Sequence, residues 1–436
     1  MSLVGTACGW HIGAMTGGDR FGHAGLTRRG MIAGGAAGML AACGRRDPDA
    51  LTFWATGYEG DYSPHLLAAF TRATGMATDA QSLPGSAAHE KYLTAFAGAS
   101  LPDVMMLPSG WVSEFAMIGA IEPLADPALA GDGFPDVMRP LTYGGVAYAV
   151  PWSVGSQVQF YRRDILGEIG FDTAPSTWDG WRTVGARLKR RYPDRYAMLM
   201  FLNWWDTLVT FASAAGAYPL RAGDTRGNFR TPAYREALSF YVSLFADGYA
   251  PGVSSNEIQD PMAAFARGYF TLYPSGPTLL TDLRRRVDEI APDRWGTARM
   301  PGPDGPGRVS AINNSLAVST RSRRKADAWA LVRHLTSVES ELTFQRMIGV
   351  LPARRSAWRD PQLADPVLRP FAEQMELPAR LPTIVEWERI RLDVQIVAER
   401  VVRGGLTIDE GLAAMDTRVD AILAKRRALV AAGRIA

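Results

Sequence analysis

An alternation of β-rich and helical runs begins at Leu51 and limits the folds open to this chain. The apolar run LTFWAT predicts a first strand, and a capped helical pattern with Ser63, Pro64 and Gly75 follows it. A short strand, a second helix and a third strand, DVMMLP, come next. Strands that alternate with helices predict an α/β protein with parallel pairing, in which ligands bind beyond the carboxyl ends of the strands.

The length of the chain predicts two lobes. At 436 residues it exceeds the size at which a single hydrophobic core usually stops growing. The segment from 143 to 164, YGGVAYAVPWSVGSQVQFYRRD, resembles one long strand that Pro151 and Trp152 interrupt. We interpret Pro151, which cannot donate a ladder hydrogen bond, as the point at which the chain leaves one sheet. A bulged edge strand with a packed tryptophan is the alternative.

Composition and charge exclude several classes of partner. The chain is 47% hydrophobic and 21% charged, which is typical of a folded protein. Its net charge of +3 is small, and its basic pairs are scattered without interleaved aromatic residues. We therefore expect no nucleic-acid partner. A run of about 18 apolar residues, as a membrane-spanning helix requires, does not occur in the sequence.

The first 50 residues have the order of an export signal. Thr27, Arg28 and Arg29 resemble a twin-arginine signal, the small and apolar run 31–42 follows, and Leu40-Ala41-Ala42-Cys43 matches a lipobox. We expect removal of 1–42, lipidation of Cys43 and a tether over 43–50, which would anchor the protein to a membrane in the periplasm or cell envelope. A buried helix with a chance cysteine is the alternative.

The residues of common catalytic and metal sites are missing from the predicted mature chain. Its histidines, His65, His89 and His334, each stand alone, and no H-E-x-x-H, C-x-x-C, G-x-S-x-G or phosphate-binding glycine motif is present. We expect no catalytic residue, no metal site and no cofactor. A secreted carbohydrate-active enzyme remains a weaker alternative, because the two carboxylates of a glycosidase have no fixed spacing. Glu59, Asp206 and Glu386 would be its candidate acids.

The chain is rich in tryptophan, with twelve in all, and several stand beside predicted turns. Flat aromatic faces suit the C–H faces of sugar rings, while amide and charged side chains bind sugar hydroxyls. Core packing is the ordinary explanation for Trp178, Trp181, Trp329 and Trp358, which fit helix interiors or caps. The other tryptophans favour a sugar-binding cleft.

From Leu51 to about Leu429 the chain resembles the extracellular solute-binding proteins of ABC importers, and seven segments in family order carry the resemblance. The resemblance is to family 1, the group that includes maltose- and oligosaccharide-binding proteins. The segments are LTFW, EKYLTAFAGASLPDVMML with WVSEFAMIGAIEPL, YGGVAYAVPWSVGSQVQFYRRDIL, APSTWDGWRTVGARL, AFARGYFTLYPSGP, INNSLAVSTRSRRKADAWALVRHLTS and GVLPARRSAW.

The resemblance implies the type II periplasmic binding protein fold. Two α/β lobes, each with a mixed and mostly parallel sheet flanked by helices, would be joined by a multi-strand hinge and close on a ligand. It assigns residues 51–150 and 308–350 to the first lobe and residues 151–307 and 351–436 to the second. It also implies a monomer that delivers a sugar or oligosaccharide to membrane permease subunits and breaks no bond.

Carried over by position, the resemblance implies a set of ligand-binding residues at strand ends, turns and helix starts. They are Trp54, Glu59, Trp111, Trp152, Gln157, Asn203, Trp204, Trp205, Asp206, Gly276, Asn313, Asn314, Arg354 and Trp387. The sequence departs from the family pattern at Thr278, where relatives often have a stacking tryptophan. This departure keeps the identity of the solute open. Because the resemblance extends to family members that bind glycerol phosphodiesters or polyamines, such a solute remains an alternative to a sugar. A lipoprotein that serves a sensor is also an alternative to an importer subunit.

Overall fold

The computed structural model describes Asp47 and residues 49–134, 137–204 and 206–435. The predicted lipidation site Cys43 and the candidate ligand residue Trp205 lie outside the described residues. The chain from Asp49 on forms one structural unit that contains two large sheets.

The described strands follow the chain in this order: Leu51–Thr56 (β1), Thr78–Leu83 (β2), Val104–Pro108 (β3), Thr142–Tyr143 (β4), Val146–Ala147 (β5), Val150–Gly155 (β6), Val158–Arg162 (β7), Tyr196–Met198 (β8), Leu220–Arg221 (β9), Arg226–Gly227 (β10), Phe270–Ser275 (β11), Trp295–Ala298 (β12), Ile312–Val318 (β13) and Leu351–Pro352 (β14). The described α-helices are Gly57–Thr74 (α1), Gly85–Ala97 (α2), Val112–Met117 (α3), Arg163–Glu168 (α4), Trp178–Arg191 (α5), Thr207–Ala214 (α6), Pro232–Ala246 (α7), Pro261–Ala266 (α8), Thr278–Arg285 (α9), Lys325–Leu335 (α10), Val338–Ile348 (α11), Arg369–Met375 (α12), Trp387–Val402 (α13), Ile408–Ile422 (α14) and Ala424–Ala431 (α15).

Two sheets define two lobes. The first lobe is built on a six-stranded sheet in the order β14-β6-β13-β3-β1-β2, and the second on a four-stranded sheet in the order β12-β7-β11-β8. Pairing is parallel between β1 and both of its neighbours and between β11 and β8, whereas the other neighbours in the two sheets pair antiparallel. The antiparallel pairs arise because β6, β7, β13 and β14 belong to chain segments that pass between the lobes. The predicted two-lobed α/β fold with mixed sheets is confirmed. The prediction that each sheet is mostly parallel was wrong, because three of the described pairings in the two sheets are parallel and five are antiparallel.

The first sheet carries a hydrophobic core on each face. Met106 of β3 packs with Phe53 in one core, whereas its neighbours Met105 and Leu107 pack with Tyr92 in the other. This division follows from the period of a strand, in which successive side chains point to opposite faces. The two faces are covered by helices that come from distant parts of the chain.

Within the segment 143–164, the chain passes from the first sheet to the second after Pro151 and not at Pro151, as we predicted. Pro151 and Trp152 lie inside β6, and β6 pairs with β13 through a register shift that leaves Trp152 without a partner in that ladder. β14 pairs with Ser153 and Val154, so Pro151 has no ladder bond to make on that side. The chain passes to the second sheet at 156–157, between β6 and β7.

The pairing of β14 is a second difference from the predicted division of the chain. β14 lies in the first sheet, although we predicted that the second lobe resumes at Leu351. The other lobe boundaries remain a prediction.

Helix α1 begins earlier than its sequence pattern predicts, and this displacement brings an acidic residue toward the first sheet. The helix starts at Gly57, directly after β1, instead of at Pro64, and it ends as predicted at Gly75 in the left-handed conformation. Pro64 cannot donate a backbone hydrogen bond to the carbonyl of Gly60, and the Ser63 hydroxyl donates to that carbonyl at 3.0 Å. The helix therefore tolerates its internal proline, and its first turn contains Glu59.

The second lobe has a large helical core. Trp178 of α5 stacks on Phe240 of α7 at a ring-centroid distance of 4.4 Å, and Trp181 is fully buried beside them. These tryptophans pack in the core, as we predicted for them. None of the described helices combines the length and the apolar character that crossing a membrane requires.

Candidate ligand-binding site

A cavity of about 350 Å³ lies between the two lobes, beyond the carboxyl end of β3. The first lobe contributes Pro108 at the end of that strand and residues 109–111 directly after it, together with Arg139 and Asn314. The second lobe contributes the segment 378–383 and the first turns of α13. The cavity has a volume typical of small-molecule sites, which range from about 300 to 1,000 Å³.

Two tryptophans, one from each lobe, line this cavity. Trp111 follows β3, and the ring of His89 packs edge-on against it at a centroid distance of 4.8 Å. The His89 ring is itself held by a 2.7 Å hydrogen bond between its Nε2 and Glu114. Trp387 begins α13 and packs into the core of the second lobe. Each tryptophan is therefore fixed by its own lobe.

The amides of β13 give the cavity polar groups. Asn313 is buried, and its Nδ2 donates a long hydrogen bond of 3.5 Å to the Val137 carbonyl. Its Oδ1 has no hydrogen-bond partner among the described residues. The Nδ2 of Asn314 donates to Glu59 at 2.6 Å, and the Ser153 hydroxyl donates to the same carboxylate oxygen at 3.4 Å. A buried acceptor without a partner is costly, so Asn313 is suited to accept a hydrogen bond from a ligand.

Arg391 is the main cation on the second-lobe side of the cavity, and sequence reasoning missed it. It lies four residues after Trp387 on α13, forms an ion pair with Glu388 and is attracted by Asp206. Residues four apart share one face of a helix, so the position of Trp387 could have pointed to Arg391. Arg139 and Glu388 also line the cavity and were also missed.

Burial changes the acidity of two carboxyl groups near the cavity. It raises the pKa of Asp206 to about 6, although the charge of Arg391 acts in the opposite direction. The Nε2 of Gln157 donates to Asp206 at 2.9 Å. Burial also raises the pKa of Glu59, against the effect of its backbone, Asn314 and Ser153 hydrogen bonds. Shifted carboxyl groups near a cavity are typical of functional sites.

The structure brings together part of the predicted ligand-binding set. Trp111, Asn313, Asn314 and Trp387 line the cavity. Glu59 accepts a hydrogen bond from Asn314, which lines the cavity. Gln157 donates a hydrogen bond to Asp206, and the charge of Asp206 attracts the cavity residue Arg391.

Three tryptophans of the predicted ligand-binding set are not among the residues that line this cavity. Trp152 is 1% exposed and lies in the core of the first lobe, because the register shift in β6 turns it away from the cleft. Trp54 packs against Tyr92, with the Lys91 ammonium 4.9 Å from its ring centre. Trp204 packs against Phe201 in the second lobe.

Three further residues of the predicted ligand-binding set form loop hydrogen bonds or lie in a turn. Asn203 exchanges two hydrogen bonds with Ser255, at 3.0 and 2.9 Å. Arg354 donates through its guanidinium to the carbonyls of Thr336 and Leu129. Gly276 lies in the turn between β11 and α9. None of these three is among the residues that line the cavity.

The raised pKa of Asp206 predicts a pH dependence of stability. Its folded-state pKa of about 6 lies above the ordinary value of 3.8, so the folded state binds the proton more tightly. The stabilising contribution is complete below pH 3.8 and is lost as the pH rises through about 6. Asp206→Asn removes the buried charge, and we expect it to stabilise the protein by about 2 kcal/mol at pH 7.5 and by much less at pH 4.5. Urea unfolding at both pH values measures this, and equal effects of the substitution at both would contradict the prediction.

Two α/β lobes with a cavity between them, lined from both sides, define the class of two-lobed binding proteins. The family model described as bacterial extracellular solute-binding protein matches residues 56–341. The chain belongs to this family, which confirms the resemblance inferred from its sequence segments.

Solved structures and curated proteins agree with this family. The sugar-binding protein MalE from the phytopathogen Xanthomonas citri is 39% identical with a TM-score of 0.82, and the match covers 87% of this chain and 99% of that one. A putative binding protein of Brucella abortus is 22% identical over 84% of this chain and 90% of its own length. A mannitol-binding protein of Pseudomonas aeruginosa is 26% identical over 68% of this chain and 74% of its own. All three are described as binding proteins.

Proposed function

We propose that this protein captures a neutral sugar between its lobes and delivers it to the permease of an ABC importer. The observation that carries the proposal is the composition of the cavity. Trp111 and Trp387 line it from opposite lobes, and the buried Oδ1 of Asn313 has no hydrogen-bond partner among the described residues. Indole faces suit the C–H faces of a sugar ring, and amide groups suit its hydroxyls.

The charges at the cavity favour a neutral ligand over the alternatives. A phosphate would compete with Glu388 and Asp206 for the guanidinium of Arg391. A polyamine would meet two arginines, Arg139 and Arg391, in the cavity wall. A neutral polyol avoids both conflicts, because its hydroxyl groups donate to carboxylates and accept from guanidinium groups.

The relatives support a sugar as the solute. The protein of X. citri is described as sugar-binding, and that of P. aeruginosa as mannitol-binding. A ligand that contacts both lobes favours the closed state, so that a permease in contact with both lobes distinguishes the loaded protein from the empty one.

A thermal-shift screen of the mature protein tests the proposal. The panel contains monosaccharides, oligosaccharides, mannitol, a glycerol phosphodiester and spermidine. A sugar supplied at about 100 times its dissociation constant is expected to add about 2.7 kcal/mol to the free energy of unfolding, whereas the charged compounds should add little. Stabilisation by the phosphodiester or by spermidine, with no response to any sugar, would overturn the proposal.

We also propose that the mature protein is anchored through a lipid on Cys43, as the lipobox order supports. In a bacterial host that processes lipoproteins, the full chain is expected in the membrane fraction. Cys43→Ala should move it to the soluble or unprocessed fraction, while Cys8→Ala serves as the matched control. If the Cys43 variant fractionates like the unaltered chain, the anchor is not at this residue.

A further inference from the structure

A group of lysine and arginine side chains lies at the end of helix α5 in the second lobe. The last turn of this helix contains Lys189, Arg190 and Arg191, and the last two of these are exposed. Tyr192 follows directly, and its ring centre lies 5.0 Å from the guanidinium of Arg191 and 4.2 Å from that of Arg195. The helix end is therefore strongly basic and has an aromatic ring between its cations.

The ring of Tyr196, the first residue of β8, connects this helix end to a second segment of the chain. The Lys189 ammonium lies 4.5 Å from the ring centre of Tyr196. On its other side, Tyr196 meets Tyr269 edge-on, with ring centroids 5.3 Å apart. Tyr269 is 40% exposed, so this part of the surface presents an aromatic ring to solvent.

The second segment also adds a cation. Arg267 is exposed, and at the next residue, Gly268, a β-carbon would lie 3.5 Å from a guanidinium nitrogen of Arg195. Our sequence-based expectation was that basic residues are scattered without aromatic residues between them, whereas the fold gathers five cations among three tyrosines here. We name this group the basic pole; it consists of Lys189, Arg190, Arg191, Tyr192, Arg195, Tyr196, Arg267 and Tyr269.

The cations of the basic pole form no ion pair with a carboxylate within the part of the chain that the structure describes. By contrast, Arg182, which lies earlier on α5, pairs with Asp179 at 2.9 Å. The acids near the pole, Glu168, Asp194 and Asp247, are fewer than its cations. The pole therefore has an excess of positive charge, although the net charge of the whole chain is only +3.

The basic pole lies on the side of the second lobe away from the cleft. The parallel strands β8 and β11 begin beside it, at Tyr196 and Phe270. The carboxyl end of β11 leads instead to Pro277, which lies so close to the passage between the sheets that a β-carbon at Gly155 would be 3.1 Å from its ring. A partner at the basic pole therefore leaves the cavity between the lobes accessible.

The basic pole has the properties of a surface that binds an anionic membrane. Lysine and arginine are attracted by the negative surface potential of such a membrane, within a Debye length of about 8 Å at physiological ionic strength. Tyrosine has an apolar body and a polar tip, which suit the region of the lipid head groups. The proposed lipid on Cys43 would already hold the protein at a membrane, so that even a weak second contact would be occupied.

We propose that the basic pole binds the anionic head groups of a membrane surface. This contact is additional to the proposed lipid anchor, and it is independent of the proposed capture of a sugar. It is expected to be electrostatic and reversible, because its cations lie at the surface and not in a closed site.

Sedimentation with lipid vesicles tests the proposal. The mature chain from residue 43 with Cys43→Ala is used, because it carries no lipid and contains the whole structural unit from Asp49 on. At about 0.1 M salt, vesicles of phosphatidylcholine and phosphatidylglycerol are expected to bind it at least about tenfold more tightly than vesicles of phosphatidylcholine alone. At about 1 M salt, where the Debye length falls to about 3 Å, this difference should disappear.

The same assay gives results that would overturn the proposal. These are equal binding to the two kinds of vesicle, or no binding to either. Binding to a single-stranded oligonucleotide without binding to the anionic vesicles would assign the basic pole to a nucleic acid and would also overturn it. If no sugar stabilises the protein in the thermal-shift screen, the vesicle result is unaffected, so the two proposals fail separately.

Two variants with the same change of charge separate the basic pole from net charge. The pole variant replaces the cations in the last turn of α5: Lys189→Gln, Arg190→Gln and Arg191→Gln. The control variant replaces three exposed arginines of the same lobe: Arg221→Gln, Arg226→Gln and Arg230→Gln. The control arginines lie near the start of α7, and the other end of that 15-residue helix, about 22 Å away, is the one that approaches Lys189.

The pole variant is expected to bind anionic vesicles at least about tenfold more weakly than the unaltered chain, and the control variant less than about threefold more weakly. Thermal unfolding checks that both variants fold. Unchanged vesicle binding by the folded pole variant would overturn the proposal. An equal loss in both variants would show that net charge alone is responsible, and it would overturn the assignment to this surface.

Discussion

Trp152→Ala is expected to lower the free energy of unfolding by about 3 to 5 kcal/mol. The indole stacks on Phe344 with ring centroids 4.9 Å apart and meets Phe53 edge-on at 5.9 Å. Its Nε1 donates to the Leu335 carbonyl at 3.1 Å. The substitution would leave a cavity in the first lobe and remove the donor from a buried carbonyl, and each of these changes destabilises the folded state.

Chemical denaturation followed by fluorescence or circular dichroism measures this loss. Trp152→Phe should cost less than Trp152→Ala, because a ring remains to stack on Phe344, although the hydrogen bond is lost. Trp54→Ala is a matched control, since Trp54 lies in the same lobe and is only partly buried. Unchanged stability of Trp152→Ala together with a loss of ligand affinity would instead support a position at the cleft.

Trp111→Ala is expected to weaken sugar binding about a hundredfold to a thousandfold, or about 3 to 4 kcal/mol. Trp111 lines the cavity, and the rings of His89 and Tyr92 hold it in place from behind. Because the indole is already fixed, stacking a sugar on it costs little side-chain entropy, and its loss removes a large flat contact.

Titration with the sugar that gives the largest thermal shift measures the effect, and Trp54→Ala again provides the control. Trp54 contacts the same Tyr92 but does not line the cavity, so its removal should change the affinity by less than about threefold. Equal losses in the two variants would show that the effect passes through Tyr92 and the fold of the lobe. No loss in Trp111→Ala would remove this residue from the site.

The alternation of strand and helix patterns predicted the fold well, because it depends on local preferences and on burial of one face of each element. The carboxyl end of β3 was correctly predicted as a place for cavity residues, since parallel strands end at one edge of their sheet. Helix starts were predicted less well. Pro64 is usual in the first turn of a helix, yet in α1 a neighbouring serine satisfies the carbonyl that the proline leaves without a donor.

Whether a candidate residue at a strand end or helix start lines the cavity or packs in the core depends on the side of the sheet or helix that it occupies. Trp111 and Trp387 line the cavity, whereas Trp152 turned into the core through a single register shift in β6. We did not predict Arg139 and Arg391 as cavity residues, because no local sequence pattern distinguishes an arginine in a cavity from one on the surface. Their positions depend on segments that are distant in sequence, such as 378–383.

The sequence by itself determined the elements, the two-lobed class and the family, since these depend on periodicity, capping residues and the order of segments along the chain. Only the tertiary structure decided which side chains meet across the cleft, where the chain crosses between sheets and how much space the lobes enclose. The physical reason is that a strand slip of one residue exchanges its two faces, and a contact between lobes joins residues hundreds of positions apart. The bond from Ser113 to Thr383, across 270 positions, is of this kind.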